Sequence, residues 1–215
     1  MSFLQQLKSQ ASALQTQRSA LDEQLEAKTA QVEQACRMVH SYLQDLARQL
    51  SVIEPAPAPF SLDGKTPWPP MRQVDFRVDA RRKMLRDREV FDYIAMGWRI
   101  VPKVGKPVGG VVSVNFPTEQ QRVESRLAMG PVKHDRREIR HPEKGVLQEV
   151  RYEYLTETRG SVMVQADHER AQLHFRLLNT SGFETLTATW PAPRVDQQVL
   201  DELAKRIVAQ PNRFV

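Results

Sequence analysis

The chain of 215 residues has one cysteine, Cys36, so no disulfide closes within it, and a reducing compartment is the expectation. No apolar run approaches the ~18 residues of a membrane-spanning helix. The start, Met1-Ser2-Phe3-Leu4-Gln5-Gln6, has neither the basic flank nor the apolar core of a secretory leader. A soluble cytoplasmic protein without a membrane partner is expected. Catalytic signatures are also missing: there is no Walker-type loop, no Gly-x-Gly-x-x-Gly, no Gly-x-Ser-x-Gly, no His-Glu-x-x-His and no Cys-x-x-Cys. The five histidines include no pair three or four apart, so no metal site is expected. Cys36 and His40 share a helical face, but a seam cysteine beside an exposed histidine is the simpler reading. Gly-Lys-Pro-Val-Gly-Gly at 105–110 has no Ser or Thr after its lysine and opens no helix, so it reads as a hairpin loop. The expectation is a non-enzymatic protein without a cofactor.

Glycine and proline are absent from residues 1–53, which excludes turns there and predicts one long helix. Its apolar residues fall at heptad spacing. Leu4, Ala11, Arg18, Leu25, Val32, Val39, Leu46 and Ile53 take position a, and Leu7, Leu14, Leu21, Lys28, Ala35, Tyr42 and Gln49 take position d. Beyond Val32 the apolar set is better read as Cys36, Val39, Leu43, Leu46, Leu50 and Ile53, and the step from Lys28 through Val32 to Cys36 has two successive fours, which form a stutter. Gln10, Gln17, Gln24 and Gln31 occupy the g positions, and Lys8, Gln15, Asp22 and Thr29 the e positions. No like charges clash there in a parallel pair, and nothing selects a partner by charge. Leu4, Leu7, Leu14, Leu21, Leu25, Val32, Val39 and Leu46 are the candidate interface, with a second copy or another coiled-coil protein as partner. The alternative is that the stripe packs on the chain's own second domain. At ~1.5 Å per residue, however, the helix is ~80 Å long, far beyond the diameter of such a domain.

Six of the fourteen prolines lie in residues 54–70, which read as an extended linker in which Phe60 and Trp68 tuck against the following domain. With 40% hydrophobic residues, seven Met and three Trp, the chain can build a core. Over 71–215 a strand at Val74–Val78 is followed by a helix over 80–96 that ends at Gly97. Short alternating runs then predict strands at 98–104, 111–116, 122–129, 136–140, 146–156, 161–166, 171–178 and 183–190. Val150, Tyr152 and Tyr154 share one face, as do Leu173, Phe175 and Leu177. A last helix over 196–209 carries Val199, Leu200, Leu203, Ile207 and Val208 on one stripe. The fold class is therefore α+β: a long N-terminal coiled-coil helix (1–53), a Pro-rich linker (54–70), and an α+β domain (71–215) whose antiparallel sheet packs with a C-terminal helix.

Charge is uneven: residues 1–53 hold five basic and five acidic side chains, whereas 71–215 hold 25 basic and 19 acidic. Arg72, Arg77, Arg81, Arg82, Lys83, Arg86 and Arg88 crowd one stretch, and Arg136, Arg137 and Arg140 another. Helix-borne arginines neutralise phosphates, so these are candidate nucleic-acid contacts. Asp75, Asp79, Asp87 and Glu89 are interspersed among them and favour a solvated, salt-bridged face. Three readings follow. The leading one is a coiled-coil-assembled scaffold presenting a basic α+β domain. The others are a nucleic-acid-binding accessory protein and a grip on an apolar small ligand between sheet and final helix.

Overall fold

Helix α1 spans Phe3–Ile53 in the computed structural model, which describes residues 2–215. Ser2 caps it, and the chain leaves it at Glu54, whose left-handed backbone (φ 46°) lets its N–H donate to the Leu50 carbonyl. None of residues 3–31 is buried, whereas Val32, Ala35, Cys36, Val39, Leu43, Ala47 and Leu50 enter the core. The stripe 32, 36, 39, 43, 47, 50 follows the ~3.6-residue period of a straight helix on a globular surface. The leucines before it keep the heptad period instead. The stutter is thus where the helix changes what it faces, and the packing on the chain's own domain weighed above holds for its second half.

Strands β1 (Met71–Leu85) and β2 (Arg88–Pro102) form one long antiparallel hairpin. The helix expected over 80–96 is therefore strand, and Ala80, Met84, Phe91 and Ile94 match helical spacing only by coincidence. Arg86 and Asp87 both have positive φ (49° and 60°), so they make a two-residue turn whose twist suits a hairpin. Without Gly or Asn the sequence hides it. Strand β2 is central, because β6 (Thr158–Asp167) pairs on its other edge, followed by β7 (Gln172–Leu178) and β8 (Thr185–Pro191). A second sheet has the order β3 (Gly109–Val114), β5 (Leu147–Leu155), β4 (His134–Arg140). The segment 122–129, expected as strand, belongs to helix α2 (Pro117–Met129). Proline in the first turn suits a helix start, and Val123 and Leu127, one turn apart, are its buried residues.

Cross-strand partners share a face, so Ile94, Val164 and Phe175 line up across the five-stranded sheet, as do Met96, Val162 and Leu177. All six are buried, covered by the second half of α1 and by α3 (Gln197–Ile207). Helix α3 starts at Asp196, whose carboxylate accepts from the Val199 amide at 2.9 Å, and it buries Leu200, Leu203 and Ile207. The proline-rich segment lies on the domain, with Phe60, Leu62 and Trp68 buried. Trp68 stacks on Tyr154 (5.9 Å between ring centroids), and Phe60 meets Phe183 edge-on (4.8 Å). Within its loop, burial raises the Asp63 carboxyl, but hydrogen bonds from the Thr66 and Lys65 amides and the Thr66 and Ser61 hydroxyls outweigh it and hold the pKa at about 2.

Gly160 sits opposite Trp98 in the β2–β6 ladder, and a Cβ there would run into the Trp98 ring. Because Trp98 is buried, the ring has little room to retreat. Gly160→Ala is expected to cost about 1–3 kcal/mol by overpacking, read as a lower denaturation midpoint at unchanged m-value.

Candidate functional site

The interface residues divide at the stutter. Leu4, Leu7, Leu14 and Leu21 are exposed by 60%, 46%, 56% and 52%, and Leu25 is half-buried. Val32 and Val39 are buried in the chain's own core, and Leu46 packs against it from the edge. A leucine stripe from Leu4 to Leu25, about 30 Å long at ~1.5 Å per residue, therefore projects beyond the domain without a covering element among the described residues. Val32 and Val39 continue the heptad a positions of Leu4 and Leu25, so the domain lies on the same side of the helix as the free stripe.

At the boundary the helix is pinned by a polar clamp that sequence reasoning missed. The β2–β6 ladder runs from Tyr93–Gln165 to Ile100–Thr158, so Phe91 lies beyond it. The buried Glu33 carboxylate accepts from the Phe91 amide at 2.8 Å, and the buried His168 Nε2 donates to the Phe91 carbonyl at 2.9 Å. Buried main-chain groups that lose a strand partner must find another. Glu33, an acid directly beside the apolar a position Val32, was the available signal. Burial, then the Glu33 charge, pushes the nearby Cys36 thiol up to about 12, so it is a core side chain, not a nucleophile.

The basic residues do not gather into one helical patch. Arg72 pairs with Glu54 (2.6 Å), Lys83 with Asp92 (3.1 Å), and Arg82 lies over the Phe91 ring (4.3 Å). Arg86 is in the hairpin turn and Arg88 opens β2. Arg136, Arg137 and Arg140 lie in the other sheet, on β4, and are engaged by Glu138 and Glu124, Glu153, and Glu138 respectively. Hydrogen bonds from Arg140 and then Arg136 hold the Glu138 carboxyl below its usual range. Arg77 and Arg81 differ. They stand on the face of β1 opposite the core, exposed and without an ion pair among the described residues.

Among the described residues no group of three or more His, Cys, Asp or Glu is placed to hold a metal, and no helix is long and apolar enough to cross a membrane. The molecule is an α+β domain with a protruding amphipathic helix. No family model, curated protein or solved structure matches the chain.

Proposed function

We propose that the protein is a non-enzymatic scaffold that assembles with a second copy of itself through residues 3–31 of α1, paired antiparallel. The carrying observation is the free heptad stripe: Leu4, Leu7, Leu14 and Leu21 are exposed on a helix whose later turns are fully used by its own core. Parallel pairing would set Arg18 against Arg18 and Lys28 against Lys28. It would also force both domains, which begin on the stripe's own side at Val32, into the space between the helices. Antiparallel pairing over 4–28 gives the layers Leu4–Lys28, Leu7–Leu25, Ala11–Leu21 and Leu14–Arg18. Neither like-charge layer survives, and Ala11 meets a large side chain. Lys8 then flanks Asp22 of the other copy, while the g positions match glutamine to glutamine. In this register Leu4 of the second copy lies opposite Lys28, one turn before Val32, where the domain begins. The two domains lie at opposite ends, about 45–50 Å apart along the axis at ~1.5 Å per residue.

Light scattering on the full chain tests this reading. A dimer mass is expected, and Leu14→Asp with Leu21→Asp should give a folded monomer, since each leucine burial is worth roughly 1.5–3 kcal/mol. A Leu7→Cys chain mixed with a Leu25→Cys chain should form the mixed disulfide upon oxidation, with Cys36 too buried to compete. A monomer at all concentrations defeats self-assembly. A dimer giving only Leu7→Cys self-disulfides defeats the orientation alone.

A further inference from the structure

The face of the five-stranded sheet that points away from the core is uncovered. Its middle joins Ala95 and Gly97 on β2 to Ser161 and the exposed Met163 on β6. Around this floor stand Arg77 and Arg81 on β1, Arg159 on β6 and Arg176 on β7. All four are exposed, and none has an ion pair among the described residues. A fifth arginine, Arg99, is consumed by Glu157 (2.7 Å) and Asp75 (2.9 Å). The acids on the same face are Asp75 and Glu157, which hold Arg99, Asp167, which faces Arg170 and His174, and Asp79, which has no ion pair among the described residues. Among groups without an ion pair, four guanidiniums thus face one carboxylate, Asp79.

We infer that this open sheet face binds the backbone of single-stranded nucleic acid. Ladder geometry spreads the charges in two dimensions. Arg77 and Arg81 are four residues apart, about 13 Å along β1, and Arg176 lies three strands across, about 14 Å away. The central strands β2, β6 and β7 have no free edge for an added peptide strand. What the face offers is a low floor, with Met163 at its centre, rimmed by planar forks suited to phosphate oxygens. Half-exposed Tyr93, directly across from Arg81, supplies one ring on which a base can stack. These contacts are indifferent to sequence, because phosphates carry none. The ion-paired arginines of β4 take no part.

The test uses the full chain and a fluorescent 20-nucleotide single strand of mixed sequence, as DNA and as RNA, with anisotropy followed from about 50 to 200 mM salt. Four phosphate contacts on a single strand give a slope of log affinity against log salt of about −3. Changing Arg77, Arg81, Arg159 and Arg176 together to Gln removes most of that slope and lowers affinity at least about tenfold at 100 mM salt. Arg136→Gln with Arg137→Gln and Arg140→Gln changes neither, and unaltered melting of both variants shows that the fold is kept. The inference is overturned if the unaltered chain shows no salt-dependent binding, or if the β4 variant loses as much as the sheet variant. Equally tight binding of duplex, or competition by poly-glutamate as strong as by the oligonucleotide, also overturns it, because the face would then be a general cation surface. Since the face lies on the domain and not on the helix, a monomeric Leu14→Asp/Leu21→Asp chain retains single-site binding whether or not the dimer exists.

Discussion

Leu43→Ala is expected to lower the unfolding free energy by about 2–5 kcal/mol, whereas Leu14→Ala leaves the stability of the monomeric domain unchanged. Both leucines lie on the same helix and the same stripe. Leu43 is fully buried, in one core with Ile94, Met96, Val164 and Phe175, so its removal leaves a cavity among side chains fixed by sheet register. Leu14 is more than half exposed in the single chain, and its truncation affects only what pairs with it. Denaturant unfolding of each variant in the Leu14→Asp/Leu21→Asp background, or at dilution, separates the two effects. Equal losses for both leucines would mean that residues 3–31 fold back on the domain. Cutting the chain before residue 71 removes the buried half of α1 along with the free half, so a fragment 71–215 should expose the face that Val39 and Leu43 cover.

The second large effect is expected at Trp68. Trp68→Ala should cost about 3–5 kcal/mol, because the ring stacks on Tyr154, meets Phe183 edge-on at 5.2 Å and sits 5.7 Å from Phe60. Those contacts join the proline-rich segment to the β5 strand and to the loop before β8. A free spacer would lose nothing at this position. Thermal unfolding followed by tryptophan fluorescence checks it, and a loss below about 1 kcal/mol would place Trp68 among ordinary surface aromatics.

The long first helix, the α+β class and the final helix were legible because their signals are periodic and local. An unbroken run of residues without Gly or Pro reads as helix, and Leu173, Phe175 and Leu177 alternate as a half-buried strand must. All three are buried, as are Val150, Tyr152 and Tyr154. The Arg86-Asp87 turn was not legible, since a tight turn with positive φ is normally announced by Gly or Asn, and without one the strands on either side ran together as a helical pattern. Residues 122–129 misled in the opposite sense: Val123 and Leu127 fit a helical turn, but the surrounding polar residues also fit an alternating strand. For the candidate surfaces, the exposed leucines could be named from spacing, but not the point at which the helix turns to its own core. The free arginines could not be told from the paired ones, because the partners Glu54, Asp92, Glu138 and Glu153 are set by strand register and not by proximity in the chain.

The clamp on Phe91 bears on behaviour at high concentration. Where β6 ends, the edge of β2 would otherwise show an unpaired amide and carbonyl beside a hydrophobic ring, a template for strand addition by another molecule. His168, in the turn after β6, takes the carbonyl, and Glu33 of the helix takes the amide, so docking of the helix completes the blunting of the edge at the same time as it closes the core. Any condition that lifts the second half of α1 frees the Phe91 amide as well as uncovering an apolar face. Aggregation at high concentration is then expected to follow detachment of the helix, and Glu33→Ala should promote it before the sheets melt.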